Sequence, residues 1–101
     1  MSKVHLTAKI TAKPGAADQV EKALLAVVPT VRAEAGCLRY DLHRESREGN
    51  EFLFYEIWAS PEALKAHGQS EHMNAMRASL EGLVDGATQL TFWNAVDRSD
   101  G

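Results

Sequence analysis

The sequence predicts an α+β fold: a ferredoxin-like antiparallel sheet in β-α-β-β-α-β order with its helices on one face. Three observations carry that prediction. Val4, Leu6, Ala8, Ile10 and Ala12 alternate with His5, Thr7, Lys9 and Thr11, a period of two. Val20, Ala23, Leu24, Val27, Val28 and Val31 then recur at the spacing of an amphipathic helix. Residues 51–59 carry large apolar side chains on both faces of one strand, so both sides of it need cover.

The elements follow in order. Pro14-Gly15 ends the first strand. Asp18 and Glu21 suit the positive start of the first helix. Pro29 conflicts with the helical pattern and predicts a kink. Gly36 supplies the left-handed residue that closes the helix. Residues 37–46 read as a second strand with Leu38, Tyr40 and Leu42 on one face. Glu48-Gly49-Asn50 is the hairpin signal before the third strand, 51–59. Ser60, Pro61 and Glu62 suit an N-cap and first turn. Gly68 breaks this helix early, and Ser70 caps a second piece carrying Met73, Met76, Leu80 and Leu83, which Gly86 closes. Residues 87–96 form the last strand, with Leu90, Phe92 and Val96 opposite Thr91, Trp93 and Ala95, and 97–101 are expected to fray.

A chain of 101 residues is one domain (1–101) with one modest core. A net charge of -3 excludes the basic footprint of a nucleic-acid binder. The single cysteine, Cys37, allows no intrachain disulfide. No secretory h-region and no apolar run of ~18 residues is present. The expectation is a cytoplasmic protein with no membrane association.

The third strand sets the assembly. Phe52, Phe54, Glu56 and Trp58 point to one side of it, and Leu53, Tyr55 and Ile57 to the other. Helices can cover only one set. Burying a large apolar side chain is worth about 1.5–3 kcal/mol, so leaving the other set bare forfeits several kcal/mol. A homodimer with C2 symmetry that places the two open faces together is the expected solution, enclosing one cavity per subunit.

Lys13-Pro14-Gly15, Glu34-Ala35-Gly36-Cys37-Leu38-Arg39-Tyr40 and Phe54-Tyr55-Glu56-Ile57-Trp58-Ala59-Ser60 form one combination with Ala63-Leu64, Ala66-His67 and Ser70-Glu71-His72-Met73. In that combination the chain resembles the antibiotic biosynthesis monooxygenase family over nearly its whole length. The resemblance implies a dimeric α+β barrel and, often, cofactor-independent oxidation of quinols, anthrones or related small aromatics by dioxygen. Anthrone-oxidising members keep a tryptophan late in the third strand, here Trp58. The asparagine that some of them use on that strand is replaced by Phe54 and Glu56 at the inward positions.

Candidate site residues follow. His67 or His72 is the expected base, since imidazole titrates near neutrality. Glu56, a carboxylate on an apolar face, needs a partner if buried and is expected to orient that base or a substrate hydroxyl. Tyr40 is expected to hold a substrate oxygen. Trp58, Phe54, His43 and Trp93 are expected to line the binding site. His67 and His72 are separated by about 140° on a continuous helix and can face one metal only if Gly68 breaks it; no zinc-type motif accompanies them, so no metal is expected, and the resemblance implies no other cofactor. A non-catalytic ligand-binding barrel and an isomerase of a small phosphorylated signalling sugar are the alternatives.

Overall fold

The computed structural model describes residues 2–97. Four strands and three helices follow in the order β1 (Val4–Thr11), α1 (Ala17–Arg32), β2 (Cys37–Arg44), β3 (Glu51–Trp58), α2 (Pro61–Gly68), α3 (Glu71–Leu80) and β4 (Gln89–Trp93). The strands form one antiparallel sheet in the order β2-β3-β1-β4. This is the ferredoxin-like α+β arrangement that the sequence predicts, with the second helix divided in two. Of the expected frayed tail, 97–101, residues 98–101 lie outside the described residues.

Strand alternation decides which side chains meet the helices. Leu6, Ala8 and Ile10 of β1 and Phe52, Phe54, Glu56 and Trp58 of β3 are all buried on one face. Val20, Leu24, Val27, Val28 and Val31, the apolar stripe of α1, pack over them with Met73, Met76 and Leu80 of α3. The other face carries His5, Thr7, Lys9, Leu53, Tyr55 and Ile57, which are only half-buried. Among the described residues no helix covers that face, so the apolar set on β3 is only partly shielded from solvent in the single chain.

Four local expectations differ from the structure. The α1 helix runs through Pro29, which sits in its last turn, and ends at Arg32. Gly36 is left-handed as expected (φ 83°), but it lies beyond the helix end, so Glu34 falls in the connecting turn. A bulge between Cys37 and Arg39 shifts the pairing register of β2. Such an extra residue breaks the two-residue period, and Leu38 is exposed while Tyr40 is buried. Finally, α3 ends at Leu80 rather than near Gly86. Gly82 turns left-handed (φ 82°), and the chain folds back so that Val84 bridges Ala12 and Leu83 accepts from the Lys13 N–H. Leu83 still packs on the core.

The division between α2 and α3 positions the site. Ser60 Oγ accepts from the Ala63 N–H to start α2. Ser70 Oγ accepts from the Met73 N–H to start α3 and donates to the His67 carbonyl at 2.7 Å. One hydroxyl thus joins the end of the first helix to the start of the second. Gly36 presses against α2 so closely that a Cβ there would lie 2.6 Å from Ala63 Cβ. That contact delivers the α1–β2 turn, and Glu34 with it, to the α2–α3 junction.

Candidate active site

A cavity of about 390 Å³ lies between the helices and the covered face of the sheet. Leu6, Ala8, Ile10, Phe54, Met73, Met76 and Leu90 make it mostly apolar, and Tyr40, Glu56, His67 and Arg77 bring polar groups to it. It is built within one chain. This concave space sits on the helix side of the sheet.

His67 is the chief polar group of the cavity wall. The residue is 5% exposed, and its ring lies 4.5 Å from the Trp58 ring and 5.6 Å from that of Tyr40, which stacks on Phe54 at 4.4 Å. Two aromatic neighbours, Trp58 and Tyr40, fix the plane of the imidazole. Its Nδ1 lies 3.0 Å from Glu34 Oε2. His72 Nε2 lies 2.5 Å from the same oxygen and 3.2 Å from Ser70 Oγ.

The protons in this group can be assigned by accounting. The Ser70 hydroxyl gives its one proton to the His67 carbonyl, so the His72 Nε2–H must be the donor to Glu34 and Ser70. An ionised Glu34 accepts only, so His67 Nδ1 is also a donor. A neutral His67 then carries its lone pair on Nε2, and the residue lines the cavity. Glu34 is the member of this hydrogen-bonded group that sequence reasoning missed. Its signal lay in the Glu34-Ala35-Gly36 turn, but its meeting with α2 depends on the tight Gly36–Ala63 approach.

Glu56 has a different partner from the expected one. Its Oε1 accepts from Trp58 Nε1–H at 2.9 Å, two residues along the same strand. Burial raises its pKa above the usual carboxylate value, and the Trp58 hydrogen bond and the charge of His67 offset only part of that rise. Tyr40 is pushed well above the ordinary phenol value, first by burial and then by Glu56 and Glu34. It therefore stays protonated and can donate to a ligand oxygen. Burial, reinforced by Glu34 and Glu56, also raises the Cys37 thiol, which disfavours the reactive thiolate.

Of the sequence-predicted residues, Tyr40, Phe54, Glu56 and His67 line the cavity, and Trp58 backs the His67 ring. His72 lies on the outer side of the helix layer, in an open groove between α1 and α3. His43 and Trp93 do not line this cavity: strand parity puts both on the uncovered face. His43 pairs with Leu53 across β2–β3. Trp93 pairs with His5, is 54% exposed and donates to Thr7 Oγ1 at 3.0 Å. The 140° separation of His67 and His72 is also removed, because the helix breaks between them. Glu34, His67 and His72 place one ligand atom each within 4.8 Å of one another.

Among the described residues, no helix is long and apolar enough to cross a membrane. Residues 3–79 match the family model described as antibiotic biosynthesis monooxygenase. A curated protein of Mycobacterium tuberculosis named “Putative monooxygenase Rv0793” is 32% identical over 98 residues, 97% of this chain and 96% of that protein. The solved structure of Rv0793 superposes with a TM-score of 0.86 at 31% identity, covering 98% of this chain and 100% of the other. The structure of PA3566 from Pseudomonas aeruginosa gives a TM-score of 0.88 at 34% identity, covering 96% and 97%.

Proposed function

The chain belongs to the antibiotic biosynthesis monooxygenase family, and on that premise we propose that it oxidises a small aromatic quinol or anthrone-like substrate with dioxygen, without a cofactor. The observation that carries this reading is His67: buried beside an apolar cavity, held at Nδ1 by Glu34, and left with Nε2 as its free base. The cavity volume of about 390 Å³ suits a ligand of two or three fused rings. Arg77 is the one cation among the described residues that line it, which favours an aromatic over a phosphorylated ligand.

In the proposed reaction His67 Nε2 removes the acidic proton of the substrate. The imidazolium is stabilised by Glu34 through Nδ1–H. The substrate anion is electron-rich and reduces dioxygen by one electron. Recombination of the radical pair forms a carbon–oxygen bond, and the imidazolium returns its proton to give a hydroperoxide. Loss of the second hydrogen from that carbon, with cleavage of the oxygen–oxygen bond, leaves a carbonyl and releases water. A ring CH₂ and dioxygen thus become C=O and H₂O, and the substrate supplies all four electrons. Tyr40 donates to a substrate oxygen and Trp58 fixes the base. Glu56, with a raised pKa, offers its second oxygen to a substrate hydroxyl.

The test is oxygen uptake by metal-stripped protein with a panel of reduced naphthoquinols and anthrones. Uptake above the spontaneous rate is expected, and His67→Ala should lose at least about a hundredfold of it, since general-base catalysis contributes 10²–10⁴-fold. Uptake that is indifferent to His67→Ala contradicts the assignment. The uncovered sheet face supports a second part of the proposal, a homodimer that buries Leu53, Tyr55, Ile57 and Trp93. Light scattering should give twice the chain mass, and a monomer mass independent of concentration contradicts it.

A further inference from the structure

We propose that Glu34, His67 and His72 form a binding site for a divalent transition-metal cation of the zinc class. The three residues come from three separate elements: the turn after α1, the end of α2 and the start of α3. Their contacts converge on one point. His67 Nδ1 and His72 Nε2 both face Glu34 Oε2, at 3.0 and 2.5 Å, instead of dividing between the two carboxylate oxygens. All three ligand atoms fall within 4.8 Å of one another.

The donor set fits such an ion. Two imidazoles and a carboxylate suit zinc and its neighbours better than magnesium or calcium, which prefer oxygen ligands. Zinc bonds of about 2.0–2.2 Å in tetrahedral geometry place ligand atoms about 3.3 Å apart. The two hydrogen-bonded distances need to open by less than about 1 Å to reach that spacing. Side-chain rotation of His72 supplies the adjustment, because His72 is the least buried of the three: its side chain is 28% exposed, against 6% for His67 and 15% for Glu34. His72 also lines the open groove between α1 and α3, which gives the ion a route from solvent that bypasses the inner cavity. Three protein ligands leave a fourth position for water.

Occupancy has a chemical consequence. The ion takes the place of the two shared protons, so neutral His67 must carry its proton on Nε2 instead of Nδ1. The Nε2 lone pair is then lost. Metal binding at this junction is therefore expected to inhibit a metal-free oxidation. That readout rests on the proposed function, whereas binding itself does not.

Calorimetric titration of the metal-stripped chain with Zn²⁺ tests the site, with the visible spectrum of Co²⁺ as a second probe. One ion per chain is expected, with cobalt bands of low coordination number. Loss of a direct ligand should exceed the 10–100-fold cost of removing an outer-shell partner, so Glu34→Gln and His72→Ala should each weaken binding at least ~100-fold. His43→Ala and His5→Ala, on the uncovered face, serve as controls and should leave it unchanged. Thermal melting confirms that each variant is folded. Absence of binding, or a loss below about tenfold in both ligand variants, overturns the site. So does an equal loss in the His5 or His43 controls, which would mark surface histidines as the ligands.

Discussion

The two faces of this sheet carry similar residue types and meet different fates. The covered face holds Trp58, Tyr40 and, through α2, His67. The uncovered face holds Trp93, Tyr55, His5 and His43. Trp58 is fully buried and donates to the buried Glu56, and Trp93 is half in solvent and donates to Thr7. His67 is locked between two aromatic rings and a carboxylate. His43 borders an open surface hollow with Lys9, Glu45 and Glu51. Residue type therefore does not make the site. Exclusion of water and a fixed hydrogen-bond partner do, because both strengthen electrostatic interactions and select one tautomer.

The largest effect that separates the faces is in stability. Trp58→Ala removes a buried ring and orphans the Glu56 carboxylate, and should cost about 3–5 kcal/mol in urea unfolding. Trp93→Ala removes an exposed ring and one hydrogen bond, about 1 kcal/mol, and its effect should grow on dilution as the proposed dimer dissociates. Equal costs at all concentrations would erase the distinction.

A second prediction concerns how the covered face is assembled. Gly36→Ala forces a left-handed alanine and a Cβ 2.6 Å from that of Ala63. It should cost about 2 kcal/mol or more from the backbone conformation and the contact together. The same change displaces Glu34, so oxidation should fall even where the protein remains folded. Wild-type rates in a destabilised Gly36→Ala protein would separate Glu34 from catalysis.

The smallest predicted effect is in pH dependence. Glu56 has its pKa raised on folding, mainly by burial. The unfolded chain therefore releases that proton first, and the folded state binds more protons between the usual carboxylate value and the raised one. Stability from this group is fully present below that window and is lost as pH rises through it. Glu56→Gln keeps an acceptor for Trp58 and removes the titration. The variant should lose less stability than wild type as pH climbs from below 4 to neutrality, measured as the difference between their unfolding free energies. Parallel curves would show that Glu56 is paired well enough to keep its ordinary pKa.

Much of this architecture was legible in the sequence, for local reasons. Periodicity marked the strands and α1, and Ser60-Pro61 and Ser70 marked the two short helices through caps that need no tertiary contact. The break at Gly68 was legible too, but its consequence was not. It turns His67 inward and His72 outward around a carboxylate that lies 33 residues before His67 in the chain. Glu34 gained its role from Gly36 packing on Ala63, a long-range contact that no local pattern encodes. The bulge at Leu38 was hidden for the same reason. The faces of His43 and Trp93 were readable from parity alone, since Trp93 alternates with Phe92 and His43 with Leu42.

The most direct test of the central claim compares one histidine from each face. Initial rates of oxygen uptake are measured for metal-stripped wild type, His67→Ala and His43→Ala with the most reactive quinol or anthrone. The account predicts a loss of at least about a hundredfold for His67→Ala and a rate within about twofold of wild type for His43→Ala. Near-normal turnover in His67→Ala, or a comparable loss in His43→Ala, would contradict the assignment of the chemistry to the covered face.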